Sequence, residues 1–343
     1  MAYTTINDPS AYFQTLLYTG GSSSYTNNGN SDLQPDWVWI KARNNAYEHK
    51  LFDSSRGATK LLVSNSTVAQ ATQSGLTAFN SDGFSLGGDG GSNDANTNFV
   101  AWQWKANGGT TASNSDGSIT STVQANTTAG FSIVTWTGTG SNGTVGHGLG
   151  KAPDCILFKN YAATENWTTY HSVLGNSGGL YLNLTNSFNT ASSWYSDTSP
   201  TSSSFYVGTN SKTNGGTMVA YCFADTQGFS KFGSYTGNGN GDGPFVYTGF
   251  KPAWLMVKRT DSSNDWWIID NKRDDYQNPF SDLLIANQDG AENANTPRGD
   301  LLSNGFKWRV NPNAFNASGG TYLYMAFAAN PFVTSDGVPT TAK

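Results

Sequence analysis

Glutamate is nearly missing from this 343-residue sequence: only Glu48, Glu165 and Glu292 occur. Charge of either sign is sparse, with 13% charged residues and a net charge of −5. A nucleic-acid binder needs a basic patch against phosphates, and this composition argues against one. The strong helix formers Glu, Lys and Leu are thin, so a helix-rich fold is disfavoured. No apolar run approaches the ~20 residues that cross a bilayer, so membrane insertion is not expected. The stretch Met1–Pro9 has no basic region followed by an apolar run, and a cleaved secretory signal is not expected. Two cysteines, Cys155 and Cys222, are too few for a disulfide scaffold. What is abundant is Gly, Ser, Thr and Asn, together 152 residues. Aromatic residues make up 13%, far too many for a disordered chain. The composition that remains is all-β with many polar turns.

A set of landmarks recurs three times. Tyr18-Thr19-Gly20, Trp136-Thr137-Gly138 and Tyr235-Thr236-Gly237 open the three segments, and each glycine is followed 15 positions later by Pro35, Pro153 or Pro252. Each proline leads an apolar run that ends in lysine: Trp37 to Lys41, Cys155 to Lys159, Trp254 to Lys258. Eleven positions beyond each lysine stands an apolar–polar pair: Phe52-Asp53, Tyr170-His171, Ile269-Asp270. Arg56 and Arg273 follow three residues later in two segments, and Leu174 holds that place in the middle one. Phe84, Phe205 and Phe306 mark a later strand, and runs centred on Ala101, Ala220 and Ala326 close the segments. The order predicts an internal triplication. The chain divides into a lead (1–11), repeats at 12–105, 131–227 and 229–332, a polar linker (106–130) and a polar tail (333–343).

Short β-rich runs between Gly, Asn, Ser and Asp clusters suit a two-sheet sandwich. The proline-led run is apolar at nearly every position, as in a strand covered on both faces. The expected fold is therefore three tandem β-sandwich domains of jelly-roll or concanavalin-lectin-like type, each with its own core. A single propeller is the competing architecture, but its repeats are usually ~40–50 residues.

Glycan hydrolysis needs paired carboxylates, which Glu48 with Asp53, or Asp265 with Asp270, could supply. The plainer expectation is that Asp53/Arg56 and Asp270/Arg273 are ion pairs tying a turn, and that no residue is catalytic. His49, His147 and His171 fall at unrelated repeat positions without metal-ligand spacing. Asn238, Asn240 and Asp242 stand at i, i+2 and i+4 like the start of a calcium loop, but Gly249 occupies the place of its glutamate. A plain turn is the competing reading, so Ca²⁺ is a secondary expectation and no other cofactor is expected. Aromatics in polar loops, Tyr47, Tyr161, Trp194, Tyr195 and Tyr276, with Asp197 beside them, are candidate ligand-binding residues. The competing reading packs these rings under their own loops or into subunit contacts. Cys155 and Cys222 could pair if first and last strands are neighbours, although free buried thiols are the simpler expectation.

These motifs resemble a family of repeat-containing virion structural proteins of tailed, mainly marine, bacteriophages. The resemblance is carried by Tyr3-Thr4-Thr5-Ile6-Asn7, by the run from Pro35 to Arg43, and by Leu51-Phe52-Asp53-Ser54-Ser55-Arg56-Gly57. Phe99 to Gly108, Gly146-His147-Gly148-Leu149-Gly150, Lys231 to Gly239 and Gly319 to Phe332 extend it over nearly the whole chain. It implies a virion protein of tail or fibre type, made in the host cytoplasm, that displays lectin-like domains toward host-surface glycan. It also implies other virion proteins as partners and, by analogy with phage fibres, a homotrimer. A head-decoration or tail-wall protein and a glycan depolymerase are the alternatives.

Overall fold

The computed structural model describes residues 2–274, 278–294 and 296–340. Its secondary structure is almost entirely antiparallel strand, and its α-helices are single turns of four residues. Three units, each a large sheet with a small one against it, follow one another along the chain, giving an all-β sandwich fold.

In unit 1 the opening strand Phe13–Thr19 pairs with the closing strand Asn98–Trp104. The closing strand pairs in turn with the proline-led strand Trp37–Ala42, which pairs with the hairpin strand Lys50–Asp53. Unit 2 repeats the order with Phe131–Thr137, Thr217–Phe223, Cys155–Asn160 and Thr168–His171. Unit 3 repeats it with Ser230–Thr236, Thr321–Pro331, Phe250–Arg259 and Trp266–Asp270. The recurring Phe84, Phe205 and Phe306 lie on strands of the small sheets.

Side chains alternate across each proline-led strand and meet two different cores. Val38 and Ile40 join Phe52 and Phe84 between the two sheets of unit 1. Trp37 and Trp39 point the other way, into a core shared with units 2 and 3. That shared core holds Trp102 and Trp104 of unit 1, Phe131, Leu157, Tyr221 and Phe223 of unit 2, and Trp254, Met256 and Phe327 of unit 3. Trp37 stacks on Tyr221 at 4.5 Å between ring centroids, Trp104 meets the edge of Trp254 at 5.6 Å, and Phe223 meets Phe327 at 5.8 Å. Pairs of this kind contribute ~0.5–1.5 kcal/mol each beyond area burial.

Units 1 and 2 each have the core of their own that tandem sandwiches were expected to have, and what that expectation lacked is the further core shared by all three units. Each small sheet covers only the outer face of its large sheet, so the aromatic inner face must be buried by the neighbouring units.

The expected linker 106–130 is also corrected. Ala112–Asn114 and Ser121–Asn126 are strands that extend the large sheet of unit 2 beyond its opening strand. Val123 and Ala125 alternate with polar neighbours there, a pattern masked by the Ser/Thr-rich composition. The start of the segment is held by buried Asp36, whose carboxylate accepts the N–H groups of Ala106, Gly108 and Gly109 at 2.7, 2.9 and 2.7 Å.

Candidate functional site

The lysines that end the proline-led runs lie fully buried at the boundaries between units. Lys41 of unit 1 donates to the Asp289 carbonyl of unit 3 at 3.0 Å. Lys159 of unit 2 donates to the Thr67 carbonyl of unit 1 at 2.8 Å. Lys258 of unit 3 donates to the Thr185 carbonyl of unit 2 at 3.0 Å. Burial pushes all three ammonium groups down to about 8.

Eight positions after each lysine, a ring nitrogen repeats the same cyclic contact. His49 Nε2 lies 2.9 Å from the Ile285 carbonyl, Trp167 Nε1 donates to the Val63 carbonyl at 2.8 Å, and Trp266 Nε1 donates to the Tyr181 carbonyl at 2.8 Å. His49 Nδ1 accepts from Trp39 Nε1, which leaves the proton on Nε2 for Ile285. Two positions after each lysine, a carbonyl accepts a backbone N–H from the neighbouring unit: Arg43 from Glu292, Tyr161 from Gln70, Thr260 from Phe188. Three bonds of the same kind therefore close three seams in the order 1 to 3, 3 to 2, 2 to 1.

The recurring carboxylates belong to these seams. Asp53 Oδ2 accepts from Arg56 Nε at 2.6 Å and from the Tyr221 hydroxyl of unit 2 at 2.6 Å. Asp270 Oδ2 accepts from Arg273 Nε at 2.5 Å and from Trp102 Nε1 of unit 1 at 2.9 Å. Burial works to raise the Asp270 carboxyl, yet the Arg273 guanidinium and the surrounding hydrogen bonds hold it below its ordinary value. Strand register puts Met325 of unit 3 where Trp102 and Tyr221 stand. Its counterpart across the seam is His171, where Asp53 and Asp270 stand, so donor and acceptor change together.

Buried His171 donates from Nε2 to the Tyr324 carbonyl at 3.3 Å and accepts the Val173 N–H on Nδ1. Burial pushes it down to about 4. The unfolded chain, titrating near 6.5, then binds more protons than the folded one between those values. His171 alone therefore contributes about 3 kcal/mol of stability that is lost as pH drops from above 6.5 to 4. Urea titrations at pH 7.5 and 4.5 should show His171→Gln losing less stability on acidification than the wild type.

The loop aromatics fare differently from the ligand-binding expectation. Trp194 and Tyr195 are corrected: each is only 2% exposed. Trp194 packs against Tyr181 and Tyr195 against Phe158 and Tyr170, because a single helical turn folds both rings under the sandwich. Asp197 beside them is exposed, at positive φ. Tyr161 is half-buried against the shared core under Arg56, and the Tyr47 hydroxyl donates to Asp94 at 3.0 Å. Tyr276 lies outside the described residues.

Asn238, Asn240 and Asp242 do come together, but as a turn. Asn238 Oδ1 accepts from the Asn240 N–H and from Asn316 Nδ2, and Asn240 Oδ1 accepts from the Asp242 N–H. Asp242 pairs with Lys307 at 2.8 Å, and the hydrogen bond from this lysine holds its carboxyl below the ordinary value. The turn closes on its own hydrogen bonds, and the one carboxylate in it is paired with a lysine. Among the described residues no group of three or more His, Cys, Asp or Glu is placed to hold a metal.

Cys155 and Cys222 are free and buried. The register sets Ile156 opposite Cys222 and Cys155 opposite Phe223, so the two sulfurs leave the sheet on opposite faces and join different cores.

An open cleft lies where unit 2 passes into unit 3. Its volume is about 390 Å³, and Tyr3, Tyr247, Asp225, Gln227 and Lys231 are among the residues that line it. The Tyr3 hydroxyl donates to the Gly249 carbonyl at 2.7 Å and stands 3.2 Å from the Tyr247 hydroxyl. Asp225 is ion-paired with Lys231.

A family model described as a domain of unknown function, DUF7483, matches residues 8–331. The chain belongs to the DUF7483 family. No curated protein matches it. The family domain runs from before the opening strand of unit 1 to the end of the closing strand of unit 3, so the three units lie within one DUF7483 domain. Sequence reasoning missed the residues that lock this domain. The lysine at the end of each run was a visible signal, because a charge capping a wholly apolar strand must find buried acceptors. The His49/Trp167/Trp266 position was hidden by the change of side chain. Among the described residues of this DUF7483 domain no helix is long and apolar enough to cross a membrane.

Proposed function

We propose that the chain is a non-enzymatic surface component of a tailed-phage particle, of tail or fibre type, that presents the loops of three related sandwich units to the host envelope. In this reading the units are copies of one ancestral module. The observation that carries it is the fate of the recurring carboxylates. Asp53 and Asp270 are the positions a depolymerase of this plan would use twice, and both are sealed in seams by an arginine and by a ring donor from the next unit. A carboxylate that flanks a scissile glycosidic bond has to reach substrate and water. The resemblance of its motifs to those of virion structural proteins and the polar, weakly charged composition support the same reading. Gold-labelled antibody against the purified chain should decorate tailed particles in the lysate that carries its gene. Particles that stay bare while the chain remains with host material would overturn the proposal, and label confined to the heads would replace attachment by decoration.

A further inference from the structure

Unit 3 carries two rings that its fold does not require. Phe245 and Tyr247 are 46% and 55% exposed, while Val246 between them is buried. The two rings therefore share one outward face of their strand. In the register of the small sheets, Val246 lies opposite Phe306, Val145 opposite Phe205 and Tyr25 opposite Phe84. Ser24 and Thr144 then stand at the place of Phe245, and Thr26 and Gly146 at that of Tyr247. The same sandwich is built twice with small or polar residues there, so packing does not explain the aromatic pair.

Tyr247 also forms one wall of the cleft of about 390 Å³ at the unit 2–unit 3 junction. That volume lies within the range of small-ligand sites. Tyr3 reaches in from the N-terminal segment, and its bonds to the Gly249 carbonyl and the Tyr247 hydroxyl hold both phenols in place. Gly249 has φ +85°, and a Cβ there would come within 2.8 Å of the Tyr3 hydroxyl, so glycine is needed under the ring. The lining also includes exposed Gln227 and the Asp225–Lys231 pair.

We propose that this cleft binds a neutral sugar residue of a surface polysaccharide. Flat ring faces suit the C–H face of a pyranose, and a side-chain amide with a carboxylate and an ammonium supplies donors and acceptors for its hydroxyls. Because the two charges neutralise each other, nothing in the wall selects for a charged ligand. The inference rests on the attachment reading above and names where that attachment is made.

The test uses the full chain and an array of neutral gluco-, galacto- and manno-configured trisaccharides and tetrasaccharides, followed by titration calorimetry on those that bind. At least one should bind. Tyr247→Ala should weaken it at least tenfold, with an unchanged thermal midpoint, while Thr144→Ala binds as the wild type. Absence of binding across the array, or full affinity in Tyr247→Ala, would overturn the proposal. So would a Tyr247→Ala protein that binds sugar normally but no longer joins particles, since the rings would then serve a virion-protein contact. A purified chain on particles that binds no sugar sinks the cleft alone; sugar binding by a chain absent from particles sinks the attachment reading alone.

Discussion

Asp270→Ala is expected to destabilise the protein by about 3–5 kcal/mol, the usual cost of removing one partner from a buried ion pair. Four bonds disappear at once: those from the Lys272 and Arg273 N–H groups at 2.9 and 3.0 Å, from Arg273 Nε, and from Trp102 Nε1 at 2.9 Å. Arg273 keeps Glu292 at 3.2 Å and the Ile268 carbonyl at 2.9 Å, so its guanidinium is left only partly compensated. The Trp102 indole belongs to unit 1, so the damage crosses the seam. Chemical denaturation should show the midpoint falling while one transition and its slope persist. Asp53→Ala should behave alike, because it strands Arg56 and the Tyr221 hydroxyl in the same manner.

Trp37→Ala should cost about 3–5 kcal/mol through the cavity it opens in the shared core. The ring is within 4.5 Å of both Trp104 and Tyr221, centroid to centroid, and within 6.1 Å of Phe131. Among the described residues its indole N–H finds no acceptor, so the loss should fall toward the lower end of that range. The decisive readout is location. Amide exchange should quicken in the closing strand Thr217–Phe223 of unit 2 as well as in unit 1, because the cavity lies between them. Acceleration confined to unit 1 would mean that each sandwich stands by itself.

The strand plan was legible because apolar residues that recur at fixed spacing mark the same strands three times. The proline-led runs also announced burial on both faces. What lay against the second face was not legible: period-2 alternation says that a side is covered, not by what. The same periodicity hid a shift in unit 3. Sequence spacing aligns Ala326 with Ala101, whereas the register sets Ile40 opposite Ala101 and Val257 opposite Tyr324, so Tyr324 is the counterpart of Ala101. A slip of two residues keeps every side chain on its own face, and the pattern of apolar residues cannot reveal it. The candidate site was harder still. Trp194 and Tyr195 sit in a polar stretch yet turn inward, whereas Phe245 and Tyr247 sit in a strand and stay outside. Local composition does not decide which way a ring faces when a single helical turn or one strand parity controls it.

The most direct measurement is the behaviour of one unit alone. Residues 106–227, expressed without the rest of the chain, would expose Phe131, Leu157, Tyr221 and Phe223, whose burial depends on units 1 and 3. The seam-and-core account predicts a fragment without a cooperative thermal transition and without near-ultraviolet circular dichroism from fixed aromatics. A monomeric fragment that unfolds in one sharp transition, with protected amides in Cys155–Asn160 and Thr217–Phe223, would contradict it.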